Sequence, residues 1–329
     1  MLGKKLVLIF CVFAIAAWAQ STASVGGPVT GFIYDGQTTA IRPMLGIPGA
    51  AYLGAPATAR VDAASIAPDG TAALAMQSGR LLLYTGLGSK PVAVAVSGAI
   101  AADHFAWSGD SSAAALYSSK SKQAQVLTGL AHTPAAGAPI DLSSLAGPVT
   151  ALAFDGTRVI LGVQAATASG IYIVDADTAP QRIAPAANPS AIALAGADLY
   201  FADGQSQQIW HVKSYATSPA PVLFANDSSI ASPAGLQLSA DGARLYAANA
   251  GNQKLTIYEI ATRLPAQTID LSFTPTRLDR FGSASVLLLN DTGQGPLYVL
   301  NDNGSAKPVV YFVPAPTPKP RPGIRIKPV

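Results

Sequence analysis

The sequence is poor in the residues on which most side-chain chemistry depends. Its 329 residues include one cysteine and three histidines. Glu259 is the only glutamate, and every other acid is an aspartate. Cys11 lies in an N-terminal leader, so a chain cleaved after Ala19 has no thiol. Disulfides, cysteine-ligated metals and cysteine nucleophiles are then excluded, and stability must come from core burial and strand pairing. Charged residues make up only 12% against 50% apolar ones, the opposite of a disordered composition. Long exposed helices are usually rich in Glu and Lys, so the near absence of glutamate favours strands and turns. There is no Gly-x-Ser-x-Gly elbow. Gly86–Lys90 has a glycine, serine and lysine, but not the spacing or following helix of a phosphate loop; it reads as a turn.

What is present begins with the leader. Lys4 and Lys5 precede an apolar run, Leu6 to Ala17, and Ala17-Trp18-Ala19 has the small-x-small form of a cleavage site. The run is short for a membrane span. An extracytoplasmic protein, secreted or periplasmic, is expected, touching a membrane only through this segment if it is retained. The formal charge of +3 is a property of the ends: setting aside the two leader lysines and the four tail cations, Lys319, Arg321, Arg325 and Lys327, turns it to −3. A basic body for nucleic acid is not supported. The expected organisation is a signal peptide over 1–19, one folded domain over 20–313, and a proline-rich basic tail over 314–329 whose alternating prolines impose an extended chain.

The folded part is repetitive. Its clearest unit is Gly235–Asp270, four short apolar runs separated by a turn at Asp241-Gly242 and two loops. Equivalent turns are Asp69-Gly70, Asp110-Ser111, Asp155-Gly156, Asp198 and Gly282-Ser283, at spacings of 41, 45, 43, 43 and 41 residues. Asp-Gly suits tight hairpins because it tolerates positive φ. A period just above 40 with four strands per period is the signature of a β-propeller blade. Third strands are expected at Leu81–Tyr84, Ile171–Val174, Ile209–Val212, Leu255–Tyr258 and Leu297–Leu300, with Gln123–Leu127 the weakest of the set. Prolines 148, 189, 233 and 275 precede first strands, where a missing N–H costs no ladder bond.

Six blades are clear, and a seventh is favoured. Gly27-Pro28-Val29-Thr30 with Asp35-Gly36 repeats Gly147-Pro148-Val149-Thr150 with Asp155-Gly156. Strands at Val29–Tyr34, Thr39–Met44 and Ala50–Leu53 follow, and Ile324–Lys327 of the tail could supply the fourth. The competing reading is a six-bladed ring with an appended hairpin. The expected fold is thus all-β, a β-propeller of four-stranded blades.

Ser239-Ala240-Asp241-Gly242, Leu245-Tyr246-Ala247-Ala248-Asn249 and Leu255–Glu259 resemble the repeat of the bacterial YVTN family of secreted seven-bladed propellers, which is related in architecture to WD40 repeats. Ile173-Val174-Asp175 with Asp177-Thr178-Ala179 resembles the strand end of another repeat. The resemblance implies a propeller and an extracytoplasmic setting, and little about activity.

No catalytic residues and no metal ligands emerge. His104, His132 and His211 are scattered, without the compact spacing of a zinc set. Lactonase-like propellers use a metal-binding or catalytic glutamate, and Glu259, the sole candidate, ends a strand. Asp175 and Asp177, Asn290 and Asp291, and Asn301–Gly304 offer oxygens to calcium, but none forms a specific calcium motif, so no cofactor is assigned. In a propeller the loops joining second to third strands share a face with the inter-blade connections. Here those loops are polar and suit a protein or glycan partner. Asp203, Gln208, Asn249, Asn252 and Lys254, from neighbouring blades, are the candidate binding residues. The leading expectation is a non-enzymatic, monomeric, secreted propeller that binds or scaffolds a partner through this face. The alternatives are a lactonase-like or metal-assisted hydrolase and a structural component of the cell envelope.

Overall fold

A computed structural model describes residues 27–315, apart from residues 59, 177, 284, 294, 305 and 306. The described residues form seven antiparallel sheets and no helix. The second strands explain the architecture. Leu199-Tyr200-Phe201-Ala202 and Leu245-Tyr246-Ala247-Ala248 are apolar at every position rather than at alternate ones, and all eight side chains are buried. A strand that alternates its side chains between two faces needs such a run only when both faces are covered. Leu199 and Phe201 pack toward one neighbouring sheet, Tyr200 and Ala202 toward the other. The same division holds around the molecule, giving seven apolar clusters, one at each interface between sheets. The molecule is a seven-bladed β-propeller.

Blade 1 comprises Val29–Asp35, Ala40–Ile47 and Ala50–Leu53. Blade 2 runs from Ala63–Ile66 to Val92–Ala95, and blade 3 opens with His104–Trp107. Blades 4, 5 and 6 open with Val149–Phe154, Pro189–Ala195 and Pro233–Leu238. Blade 7 comprises Asp279–Arg280, Val286–Leu288, Leu297–Asn301 and Val309–Val313. In blades 2 and 4 to 7 four strands pair in sequence order, from the ring's centre outward.

The expected turns recur as backbone geometry. Positive φ occurs at Gly70, Ser111, Gly156, Gly242 and Gly282. Blade 5 differs from expectation by two residues: Gly196 carries the positive φ, and Asp198 already opens the second strand. The weak run of blade 3 does form a strand, Gln123–Thr128. Its pattern is weak because Gln125 is fully buried among apolar neighbours. The Gln125 side chain accepts from Ile100 N (2.8 Å) and donates to the carbonyls of Gly98 (2.9 Å) and Gly137 (2.8 Å), so a polar core residue stitches the inter-blade connection. The outer layer of that blade is split into Ala135–Ala136 and Ile140–Asp141, both paired with the third strand.

Blade 1 departs most from the repeat. It has three strands among the described residues, and its inner strand runs opposite to the other six. The hairpin turns of blades 2 and 3 meet on one face, where Asp69 N donates to Ser111 Oγ (3.3 Å). Blade 7's turn residue Gly282 lies on this same face, and a Cβ added to Gly70 would be 3.2 Å from it. Gly282 packs on Thr30, at the start of blade 1's inner strand. The end of that strand reaches the opposite face. There Thr292 Oγ1, in the second-to-third-strand loop of blade 7, donates to Tyr34 O (3.2 Å) and accepts from Gly36 N (3.3 Å). Tyr34 Oη donates to Asp62 O (2.8 Å) just before blade 2 begins. The reason is parity: four strands return the chain to the face it left, whereas three do not, so a three-stranded first blade must start from the hairpin-turn face. The likeness of residues 27–36 to 147–156 is therefore a likeness of hairpins and does not extend to strand direction. The closing strand expected at Ile324–Lys327 lies outside the described residues.

Closure is made by side-chain packing between blades 7 and 1. Phe281, Val286, Leu288, Leu297 and Val299 meet Ile33, Met44 and Ala51. Gly31 has no Cβ where the Phe281 ring would stand 2.8 Å away. Replacing Phe281, 3% exposed, by alanine is expected to lower unfolding stability by about 3 kcal/mol, read from the urea midpoint. An unchanged midpoint would show that this contact does not carry closure.

Candidate functional site

Two regions could hold a partner: the face of the second-to-third-strand loops, and the channel at the ring's centre. On the loop face, polar side chains repeatedly tie an inter-blade connection to the neighbouring hairpin. Ser78 N donates to Asp62 Oδ2 (2.7 Å) in blade 2, and Ser119 N to Asp103 Oδ1 (3.1 Å) in blade 3. Asp291 N donates to Thr276 Oγ1 (3.3 Å) in blade 7.

The five candidate residues fall into this scheme. Asp203 is 4% exposed, and its carboxylate accepts from the backbone amides of Ala187 (2.9 Å), Asn188 (3.0 Å), Gln205 (3.0 Å) and Ser206 (3.4 Å). Asn249 is fully buried; its oxygen accepts from Ala231 N (3.2 Å), and its amide donates to Ala247 O (3.1 Å) and Thr256 Oγ1 (3.4 Å). Asn252 donates to Ser229 O (2.9 Å), while its side-chain oxygen is buried without a partner among the described residues. Lys254 forms an exposed ion pair with Asp270 (3.4 Å), and Gln208 is half-buried opposite Asp203 in the strand register. Asp203 with Gln208, and Asn249 with Lys254, thus face each other across two hairpins. Much of the polarity legible in these loops is spent on the backbone, which makes the face rigid.

The channel has a volume of about 360 Å³ and is lined by the inner strands of all seven blades. Its two sides differ. Blades 3 to 5 contribute Phe105, Trp107, Leu152, Ile192 and Leu194, all half-buried. Blades 6, 7 and 1 contribute Gln237, Arg277, Asp279, Arg280, Asp291 and Tyr34. Arg277 Nη1 lies 2.6 Å from Asp291 Oδ1, and Arg277 also pairs with Asp279 through Nε at 2.5 Å. The Asp279 carboxylate holds the Arg277 guanidinium above its ordinary pKa against the opposing effect of burial, and Asp291 adds to it. Although deep among protein atoms, Arg277 keeps 40% of its side chain open to the channel. The side chain of Arg280, on the Asp279–Arg280 strand, has no hydrogen bond or ion pair among the described residues.

The histidines and Glu259 lie apart from this channel, whereas the calcium candidate Asp291 lines it. His104 pairs with Asp103 (2.8 Å), and His211 with Asp198 (2.9 Å) while stacking on Tyr200 at 4.6 Å. His132 is in an exposed turn. Glu259 sits opposite Arg244 in blade 6 and is not a channel residue. Asp175 pairs with Arg158 (3.7 Å), and Asn290 accepts from Tyr298 N (2.8 Å). Asp302 pairs with Arg244 (2.9 Å) and accepts from the Tyr246 hydroxyl, joining blades 6 and 7. Among the described residues, no group of three or more His, Cys, Asp or Glu comes together.

The sequence reading missed the channel residues Gln237, Arg277 and Arg280. One signal was available: Thr276-Arg277-Leu278-Asp279-Arg280 places two arginines where the other inner strands are mainly apolar.

No protein-family model and no curated protein matches the sequence. Solved structures share the fold. A candidate 6-phosphogluconolactonase from Bacteroides fragilis matches with TM-score 0.62 at 12% identity, over 87% of this chain and 94% of that one. A protein from Lactobacillus plantarum matches at 0.63 and 14%, over 88% and 96%. Hydrazine synthase from Kuenenia stuttgartiensis matches at 0.59 and 9%, over 87% and 99%. Identities this low carry the propeller fold and no activity.

Burial by itself would raise the Asp203 carboxyl pKa, but the four backbone amides outweigh it and hold the group below its ordinary value. A depressed folded pKa stabilises the protein above the unfolded value of about 3.9, and that stabilisation is lost as pH falls through the folded value. Asp203→Asn is therefore expected to cost about 1–3 kcal/mol at pH 7. Parallel unfolding titrations should show the difference shrinking on acidification below about pH 4; a constant difference would contradict the assignment.

Proposed function

We propose that the protein is an exported, monomeric binding propeller that engages a protein or glycan on the face formed by its second-to-third-strand loops and inter-blade connections. The observation that carries this reading is the repeated tie between those two sets of loops, at Asp62, Asp103, Asp203, Asn249 and Thr276. A rigid rim loses little conformational freedom on binding, which favours affinity. The exposed residues between the ties, among them Lys120 and Gln205, provide the variable contacts. Binding by the rim requires no reactive group, which agrees with the dispersal of the histidines and Glu259. The leader, with Lys4, Lys5 and the Ala17-Trp18-Ala19 site, supports export.

A photo-crosslinker placed in the producing cell tests the face. Substitution at Lys120 or Gln205 should yield the same crosslinked species at several-fold higher yield than substitution at Lys90 or Asp241, which are exposed in turns on the opposite face. Equal or greater yield from Lys90 and Asp241 would overturn the reading. N-terminal sequencing of the exported protein should begin at Gln20; retention of residues 1–19 in the cytoplasmic fraction would remove export from the proposal.

A further inference from the structure

We propose that the central channel is a binding site for a small apolar carboxylate, whose anionic end is held by Arg280 and Gln237 and whose body lies against Phe105, Trp107, Leu152, Ile192 and Leu194. Three observations lead there. The first is electrostatic. Arg277, Asp279, Asp291 and Arg280 are the charged groups lining the channel. Arg277 is committed to both carboxylates, whereas Arg280 has no partner among the described residues. A guanidinium partly withdrawn from bulk water is stabilised by an anion, and its planar fork matches a carboxylate with two parallel N–H donors. Gln237, on the inner strand of the adjacent blade, adds a further donor. Its oxygen accepts from Leu238 N (3.0 Å), while its amide hydrogens have no partner among the described residues.

The second observation limits the charge of the ligand. The four charges sum to zero, but Asp279 and Asp291 both pair with Arg277, which leaves Arg280 as the one cation without a partner among the described residues. A monoanion can pair with that single guanidinium, whereas a phosphate dianion would meet two nearby carboxylates with too few donors. The third concerns the body of the ligand. The opposite wall is apolar and aromatic, and its side chains are half-buried, leaving surface toward the channel. The Trp107 indole N–H is already bonded to Ser65 Oγ (3.2 Å), so the ring offers the channel hydrocarbon rather than a free donor. A volume of about 360 Å³ accommodates one small molecule, at the lower end of the roughly 300–1,000 Å³ typical of ligand pockets. Medium-chain fatty acids and arylalkanoic acids fit this description. The site does not depend on what the loop face holds.

The test is calorimetric titration of the full chain with octanoate, 3-phenylpropionate and octan-1-ol, alongside Trp107 fluorescence. At least one of the two carboxylates should bind at one per chain, perturb the Trp107 emission, and bind at least about tenfold more tightly than octanol. Arg280→Gln should weaken carboxylate binding by about tenfold or more and leave octanol binding unchanged. Arg280→Lys, which keeps the charge but loses the planar fork, should weaken carboxylate binding by several-fold, less than Arg280→Gln, and it serves if Arg280→Gln does not fold. The proposal is overturned if neither carboxylate binds, if octanol binds as well as they do, or if a folded Arg280→Gln protein binds them as tightly as the parent.

Discussion

Each sheet of this protein is apolar on both faces, and neither face can be left open. That constraint shapes the whole structure. A second strand such as Leu199–Ala202 sends alternate side chains into two different interfaces, so no blade has a core of its own. The apolar surface is removed from water only when every blade has two neighbours, and a ring is the arrangement that gives each blade both. With no cysteine in the folded body, nothing covalent reinforces that closure. The seventh interface, where Phe281 fills the space above Gly31, has to match the other six by packing.

The first blade shows how far that demand can override the repeat. Its three strands bring the chain in from the hairpin-turn face and deliver it to the loop face, so blade 2 can begin in the same direction as its successors. The reversed inner strand still presents Phe32 to one neighbour and Ile33 to the other, because alternation of side chains is indifferent to strand direction. Arg42 and Asp35 form a buried pair (3.0 Å) inside this short blade, and Arg42 also donates to Gly54 O (2.9 Å). Carbonyls at the end of its last strand are thereby satisfied, with a charged side chain where a longer blade would use another strand.

The same ring sorts the polar residues into two roles. On the loop face, aspartate, asparagine and serine side chains mostly bind backbone amides and carbonyls. Their regular recurrence is a consequence of the blade repeat. In the channel, the charges are confined to blade 7 and the connection leading into it, and they face an apolar wall from blades 3 to 5. This asymmetry belongs to no repeat, and it is the reason for assigning the channel a separate role. Propellers host unrelated activities on one architecture, so such departures from the repeat carry more information about function than the repeat itself.

The sequence by itself determined most of the strands and their hairpins, and it favoured seven blades over six. These depend on local patterns: apolar runs of strand length, residues that accept positive φ, and a period just above 40 residues. It misplaced blade 5's turn by two residues because Gly196 and Asp198 both suit a turn, and it rated Gln123–Leu127 as weak because a buried glutamine looks like a loop residue until its three partners are known. Only the tertiary structure decided the direction of blade 1, the structural duties of Asp203 and Asn249, and the meeting of Arg280, Gln237 and Trp107 around one channel. Each of these depends on which segments become neighbours when the ring closes. Residues more than a hundred positions apart are brought together there by packing between blades, and no local pattern in the chain encodes that convergence.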